Sequence, residues 1–352
     1  MNRSFVVPRA VGAAPAVSDP SRHPVAPGGS APARARARAE APALGTAVGK
    51  AILLGEHSVV YGHPAIAIPL HGLGVRVEAE RIPDAADTSS MLDSRLFTGP
   101  LDQAPERLRP AVEAIRAALN AVDADAAVRV HVRGDIPAER GLGSSAAVAA
   151  AIVTAVCAVF GRSLDEPERH ELIQTAERAA HGTPSGLDAH TVVADGPIWF
   201  HGGIVERLAV AAPMTFVVAD TGVAGGTRAA VTGVRSRREA DPERIDALLA
   251  ALGDLAETGR HALARGDSVH VGVAMTQAHE LLGMLGVGHP QLDMLAAAAL
   301  AAGAHGAKLT GGGLGGCVLV LARDTEHAVS VERGLREAGA AETWITTVEE
   351  TP

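Results

Sequence analysis

The segment Asp135-Ile-Pro-Ala-Glu-Arg-Gly-Leu-Gly-Ser-Ser-Ala-Ala147 joins an alternating stretch, Val128 to Val132, to an apolar, helix-forming run from Ala146 to Phe160. Gly141 and Gly143 carry no β-carbon, so the turn can take up positive φ and admit a ligand close to the backbone. Unpaired first-turn amides and the helix dipole then make the junction attractive to anions, a cradle suited to phosphate. Ser144 or Ser145 can cap the helix, which leaves a second hydroxyl for a phosphate oxygen or a metal ion.

Acids and ammonium groups that could work beside such a cradle are few. Among 31 basic residues only Lys50 and Lys308 are lysines, so each marks a position where a compact ammonium is wanted, or else a remnant of biased composition that the motifs must decide. Glu177 shares a helical face with Ile173 and Ala180, which places one carboxylate among apolar neighbours, the alternative being a structural Glu at the edge of the solvated face. Asp188 closes a turn-forming cluster, His181-Gly-Thr-Pro-Ser-Gly-Leu-Asp188.

The elements that must carry these groups follow from periodicity. Residues 1–44, rich in Ala, Pro, Gly and Ser with Arg34, Arg36 and Arg38 near the end, form a disordered tail. Strands are expected over Ala47–Leu54, Pro64–Pro69, Leu73–Glu80 and Val128–Val132, and helices over Pro105–Val122, Ala146–Phe160 and Glu166–His181. Strands near Pro197–Phe200 and Met214–Ala219 precede helices over about 224–237, 242–264, 267–285 and 290–302. Strands 306–309, 317–322 and 342–348 and a helix over 325–338 close the chain. A β-rich first half and an α-rich second half predict an α+β protein of two domains, 45–215 and 216–352, with a cleft between them and the last strands able to form their own sheet.

Composition narrows the function. A net charge of −9 and 2% aromatic residues argue against nucleic acid as a partner. The longest apolar run falls short of the roughly 20 residues that span a bilayer, so no membrane partner is expected. Cys157 and Cys317 lack metal-ligand spacing, which points to a reducing, cytoplasmic setting without a structural disulfide. Gly311-Gly-Gly-Leu-Gly-Gly316 formally fits a dinucleotide fingerprint but joins two strands instead of opening a helix. A Walker A loop is excluded, because Ala51 follows Lys50 and Leu309 follows Lys308.

Taken together the loops resemble one superfamily, the GHMP kinases, named for galactokinase, homoserine kinase, mevalonate kinase and phosphomevalonate kinase. Pro137 to Ala147 is similar to its central phosphate-binding motif, and Lys308-Leu-Thr-Gly-Gly-Gly-Leu-Gly-Gly-Cys317 to its C-terminal glycine motif. Gly49-Lys-Ala-Ile-Leu-Leu-Gly-Glu-His-Ser-Val-Val-Tyr-Gly62 and the 181–188 cluster resemble the mevalonate kinase branch in particular. The resemblance runs from about residue 46 to 348 and implies the GHMP fold, a ribosomal protein S5 domain 2-like N-terminal domain followed by an α/β-sandwich domain.

What the resemblance implies for function is an ATP- and Mg²⁺-dependent transfer of phosphate to the C5 hydroxyl of mevalonate, a step of isoprenoid biosynthesis, by a homodimer. Asp188 matches the catalytic base and Lys50 the lysine that pairs with it; Ser145 and Glu177 match the magnesium ligands. Gly141, Leu142, Gly143, Ser144, Ser145 and Ala146 match the nucleotide's phosphate cradle. Lys50, Glu56, His57, Asp188 and Thr227 match positions at the mevalonate and the transferred phosphate. Two departures bear on the nucleotide pocket: Glu139 and Leu314 stand where the motifs have glycine, while Gly312 stands where alanine is common. The rivals are a GHMP kinase for phosphomevalonate or a sugar, and a non-catalytic GHMP-fold binding protein, which should have lost Asp188, Lys50 or Glu177.

Overall fold

Alternating burial from Ala43 onward lays down the first strand, β1 (Ala43–Leu54), whose second half is buried on both faces. The computed structural model describes residues 41–82, 89–124, 126–181 and 185–351. β1 pairs antiparallel with β2 (Ala65–Arg81), and a register shift between Val48 and Gly49 absorbs residues 71–73 of β2 as a bulge. The strands expected separately over Pro64–Pro69 and Leu73–Glu80 are therefore one strand, because a bulge bends a strand without ending it.

Two short strands, β3 (Met91–Ser94) and β4 (Phe97–Pro100), precede helix α1 (Arg109–Ala121), which carries Pro110 in its first turn, where a missing N–H leaves no bond unmade. β5 (Val128–Gly134) then feeds α2 (Ser144–Val159), α3 (Glu166–His181), the short α4 (Leu187–Thr191), β6 (Ile198–His201) and β7 (Ile204–Arg207). These strands form one sheet in the order β4-β3-β5-β2-β6-β7, with β1 also pairing β2.

The remainder of the chain supplies β8 (Met214–Asp220), α5 (Thr227–Ala240), α6 (Pro242–Ala264), α7 (Ser268–Met284) and α8 (Pro290–Ala301). It ends with β9 (Gly306–Thr310), β10 (Cys317–Leu321), α9 (Thr325–Glu337) and β11 (Glu342–Val348). Their strands form a second, antiparallel sheet in the order β11-β8-β10-β9. The last three strands thus lie in a sheet apart from the first, as expected, but share it with β8, which stands between β11 and β10.

An apolar cluster joins Leu53, Leu54, Ile66 and Ile68 of the larger sheet to α6, α7, α8 and the smaller sheet. A second cluster packs α1, α2 and α3 on Val77, Val128 and Val130. α2 is apolar round nearly its whole circumference and correspondingly buried, which suits its run of alanines. A β-carbon at Gly45 would lie 2.0 Å from Ala151 O, so α2 rests directly against β1. That contact sets the start of α2 beside the middle of β1, where Lys50 lies.

Some expectations need correction. β3, β4 and β7 escaped notice because Met-Leu-Asp-Ser and Ile-Val-Glu-Arg do not alternate and Phe-Thr-Gly-Pro ends in two residues that strands disfavour. Neither Ser144 nor Ser145 caps α2: Gly143 is the cap residue, with φ 71° and no side-chain bond, and both serines fall in the first turn. A division at 215/216 would cut β8, since the chain leaves the larger sheet before Met214. Of the 181–188 cluster, residues 182–184 lie outside the described residues, and Leu187 and Asp188 begin α4 instead of ending a turn. The tail expected over 1–44 lies outside them up to residue 40, and β1 begins at Ala43. Among the described residues no helix is long and apolar enough to cross a membrane.

Candidate active site

Backbone hydrogen bonds fix β1 between two loops. Val48 N–H donates to Val192 O just past α4, and Lys50 N–H to Leu142 O in the glycine turn, each at 3.0 Å. The Lys50 side chain, 3% exposed, then reaches Asp188, with Nζ 3.0 Å from Oδ1. Asp188 stands in the first turn of α4, behind Gly186 at φ 95°, and keeps 37% of its side chain open to a ligand. The first and third motifs of the sequence thus meet as an ion pair, one partner buried and the other accessible.

The glycine turn completes this corner. Gly141 has φ 77° and Gly143 φ 71°. A β-carbon at Gly143 would lie 2.7 Å from Lys50 Cγ, so glycine there lets the lysine pass over the turn toward Asp188. The first intrahelical bond of α2 runs from Ala147 N–H to Gly143 O at 2.9 Å. The amides of Ser144, Ser145 and Ala146 come before it, at the positive end of a helix with no side-chain cap. Ser144 Oγ points back to Ile136 O at 3.5 Å.

Glu177 and Ser145 meet beside this pair. Glu177 is 3% exposed, and burial raises its carboxyl to about 7; the nearby Ser145 hydroxyl opposes the rise, Asp188 adds to it and Lys50 opposes it. Ser145 Oγ is itself buried without a well-formed hydrogen bond among the described residues. A hydroxyl and a carboxylate held together at a phosphate cradle are hard oxygen donors of the kind Mg²⁺ accepts, since that ion takes one or two protein oxygens and fills its shell with water and phosphate. The residues present fit the ion.

A third loop joins from the smaller sheet. Gly311 lies so close to Gly141 that a β-carbon on it would sit 2.7 Å from Gly141 Cα. Gly225 N–H donates to Glu139 O at 2.8 Å, and Gly226 N–H to Gly313 O at 3.3 Å, which seats the start of α5 and Thr227 on both glycine loops. His57, at φ 61°, donates from Nε2 to Gly312 O at 2.9 Å; burial pushes its pKa below the usual value, so the ring stays neutral. Glu139 and Leu314 both have positive φ, 58° and 60°, the backbone conformation that a motif glycine would adopt freely. The departures therefore add side chains at positions whose backbone keeps a conformation suited to glycine.

Lys50, Asp188, Ser145, Glu177 and the cradle are therefore gathered at one place, and His57, Gly312 and Thr227 at its rim. Glu56 is placed otherwise than expected. It is fully buried and ion-paired with Lys308, so it does not stand open beside a substrate. Motif spacing gave no sign of that partner, although the scarcity of lysine flagged it. Also unforeseen are the Arg140 Nε–Asp220 Oδ2 pair at 2.9 Å, which ties the glycine turn to β8, and the stacked rings of His170 and His190, 3.7 Å apart.

Groups so arranged have little covalent chemistry to offer; they align two reactants and neutralise negative charge, which is what phosphoryl transfer to an alcohol requires. Comparison with known proteins points to the same class. Residues 107–196 match the GHMP kinases N terminal domain and residues 259–341 the GHMP kinases C terminal domain. A mevalonate kinase of Thermococcus sibiricus is 36% identical over 304 residues, which cover 82% of this chain and 91% of that protein. The crystal structure of mevalonate kinase from a methicillin-resistant Staphylococcus aureus superposes with a TM-score of 0.69 at 30% identity, covering 88% of this chain and 100% of that one. That of L. major mevalonate kinase in complex with R-mevalonate shares the fold, with a TM-score of 0.76 at 24% identity and coverage of 89% and 99%. The chain belongs to the GHMP kinases and, within them, to the mevalonate kinase family.

Proposed function

We propose that the protein is an ATP-dependent mevalonate kinase that phosphorylates the C5 hydroxyl of mevalonate. The observation that carries this reading is the Lys50–Asp188 ion pair, 3.0 Å long, beside the uncapped first turn of α2. Amides of Gly141 to Ala146 and the helix dipole hold the nucleotide's phosphates. Asp188 accepts the proton of the C5 hydroxyl, and its exposed face lets the alcohol reach it. Lys50, whose ammonium touches that same carboxylate, stabilises the oxygen as it becomes an alkoxide. Thr227, seated over Gly312, lies at the transferred phosphate, and His57 borders the acceptor.

Ser145 and Glu177 would hold Mg²⁺, which when bound supplies positive charge to the phosphate oxygens. Glu177 would have to be ionised to do so, which a carboxyl at about 7 permits at neutral and mildly alkaline pH. The base and the cradle belong to different elements, α4 and α2, so binding nucleotide and activating the alcohol are separable tasks. A cytoplasmic setting, with Cys157 and Cys317 as buried thiols, and a homodimer belong to the same reading. Light scattering on the purified chain tests the dimer.

Release of ADP from ATP in the presence of mevalonate, phosphomevalonate, galactose or homoserine tests the function. Turnover with mevalonate well above the other three is expected. A clear preference for any of the others overturns the substrate assignment while leaving the kinase class in place.

A further inference from the structure

Lys308, one of the chain's two lysines, has no part in the chemistry described so far. It lies on β9 with no exposed surface. An ammonium has three N–H donors, and all are in use: on the Glu56 carboxylate, on Leu309 O at 2.7 Å and on Ile52 O at 3.4 Å. None remains for a ligand. Two residues along, Thr310 Oγ1 accepts from Ile52 N–H at 2.9 Å and donates to Ile52 O at 3.1 Å. Two further along, Gly312 O receives the His57 ring at 2.9 Å. Lys308 and Thr310 share one face of β9, and with the Gly312 carbonyl just past that strand they grip residues 52–57, which run from the end of β1 into the turn that follows it.

The gripped segment would not hold its shape unaided. His57 has φ 61° and Gly55 φ 98°, and a non-glycine residue at positive φ persists only where its surroundings dictate it. We propose that Lys308 is a positioning residue for the acceptor alcohol: through Glu56 it fixes the Gly55-Glu56-His57 turn against the C-terminal glycine loop, and so sets where the acceptor lies relative to Asp188. Burial opposes the charge on both partners, raising the Glu56 carboxyl and lowering the Lys308 ammonium, while the charge of each works against the other's shift. Such a pair is a weak source of stability compared with apolar side chains of the same size. Glu56 Oε2 is buried and makes no hydrogen bond among the described residues.

Lys308 bears on the acceptor only if the proposed function holds, and the experiment separates the two. The variants are Glu56→Gln, Lys308→Met and the double variant, in which both charges leave together so that no buried charge is stranded. KM for mevalonate and for ATP are measured separately, with calorimetric titration of a non-hydrolysable ATP analogue. In the double variant the KM for mevalonate rises about tenfold or more, nucleotide affinity stays within about twofold, and the loss does not exceed that of the worse single variant, as for residues acting as one unit. An unchanged mevalonate KM in the double variant overturns the proposal. So does an equal loss of nucleotide and acceptor affinity, or failure of the double variant to fold, since either makes the pair a staple of the whole fold. Wild-type protein that prefers another alcohol contradicts the proposed substrate instead, and the same ratio is then read with that alcohol.

Discussion

Replacing Glu177 with glutamine removes a charge that the fold must carry in a buried place, and the consequence for stability has a definite sign. Burial raises this carboxyl from an ordinary 4.5 to about 7. A group whose pKa rises on folding binds its proton more tightly in the native chain than in the unfolded one. The native state therefore gains below the unfolded value, and the gain is lost as pH climbs through about 7. The interval corresponds to about 3 kcal/mol. Glutamine has nearly the same shape and never ionises, so in metal-free buffer Glu177→Gln should match the wild type near about pH 4 and exceed it by up to about 3 kcal/mol near pH 8. Urea unfolding of both proteins at the two pH values, with chelator present, reads the difference. Adding Mg²⁺ and an ATP analogue at the higher pH should stabilise the wild type more than the variant, because only the carboxylate attracts the cation. A difference that is the same at both pH values, or that favours the wild type at the higher one, refutes this account of Glu177.

Asp188→Ala should lower kcat by a factor of about 10² to 10⁴ and leave ATP-analogue binding near the wild-type value; near-normal turnover would remove Asp188 as the base. Lys50→Met should likewise depress kcat by about 10² to 10³, and a change confined to KM would reduce the lysine to a substrate anchor. Gly143→Ala forces a β-carbon to 2.7 Å from Lys50 Cγ at φ 71°, so ATP affinity and kcat should fall together; a fully active variant would mean that the turn moves freely. Glu139→Gly relieves an exposed side chain at φ 58° and should stabilise the protein by about 1 kcal/mol in urea unfolding, whereas a loss would show that the carboxylate is bound in place.

The long elements were legible because they are long: the helices over 166–181 and 242–264 and the strand over 342–348 begin and end where periodicity and caps put them. The glycine loops were legible as loops, but that Gly141 and Gly311 meet backbone to backbone and tolerate nothing larger is seen only in the fold. Contact between Lys50 and Asp188 followed only from the resemblance, because residues 138 positions apart carry no local signal of meeting. Glu56 shows the limit most plainly. Its motif places it at the acceptor, yet its charge is answered by Lys308, and which buried cation answers a buried acid depends on how two sheets pack. The short strands and α4 were hidden for a different reason, their lengths being set by the neighbours they pair with instead of by their own pattern.

A crystal structure with mevalonate and a non-hydrolysable ATP analogue would measure the central geometry itself. The C5 oxygen should lie within about 3.2 Å of the Asp188 carboxylate, with Lys50 against the same oxygen and the terminal phosphate on the Ser144–Ala146 amides. A triphosphate bound away from the start of α2, or a C5 oxygen that meets neither Lys50 nor Asp188, would contradict it.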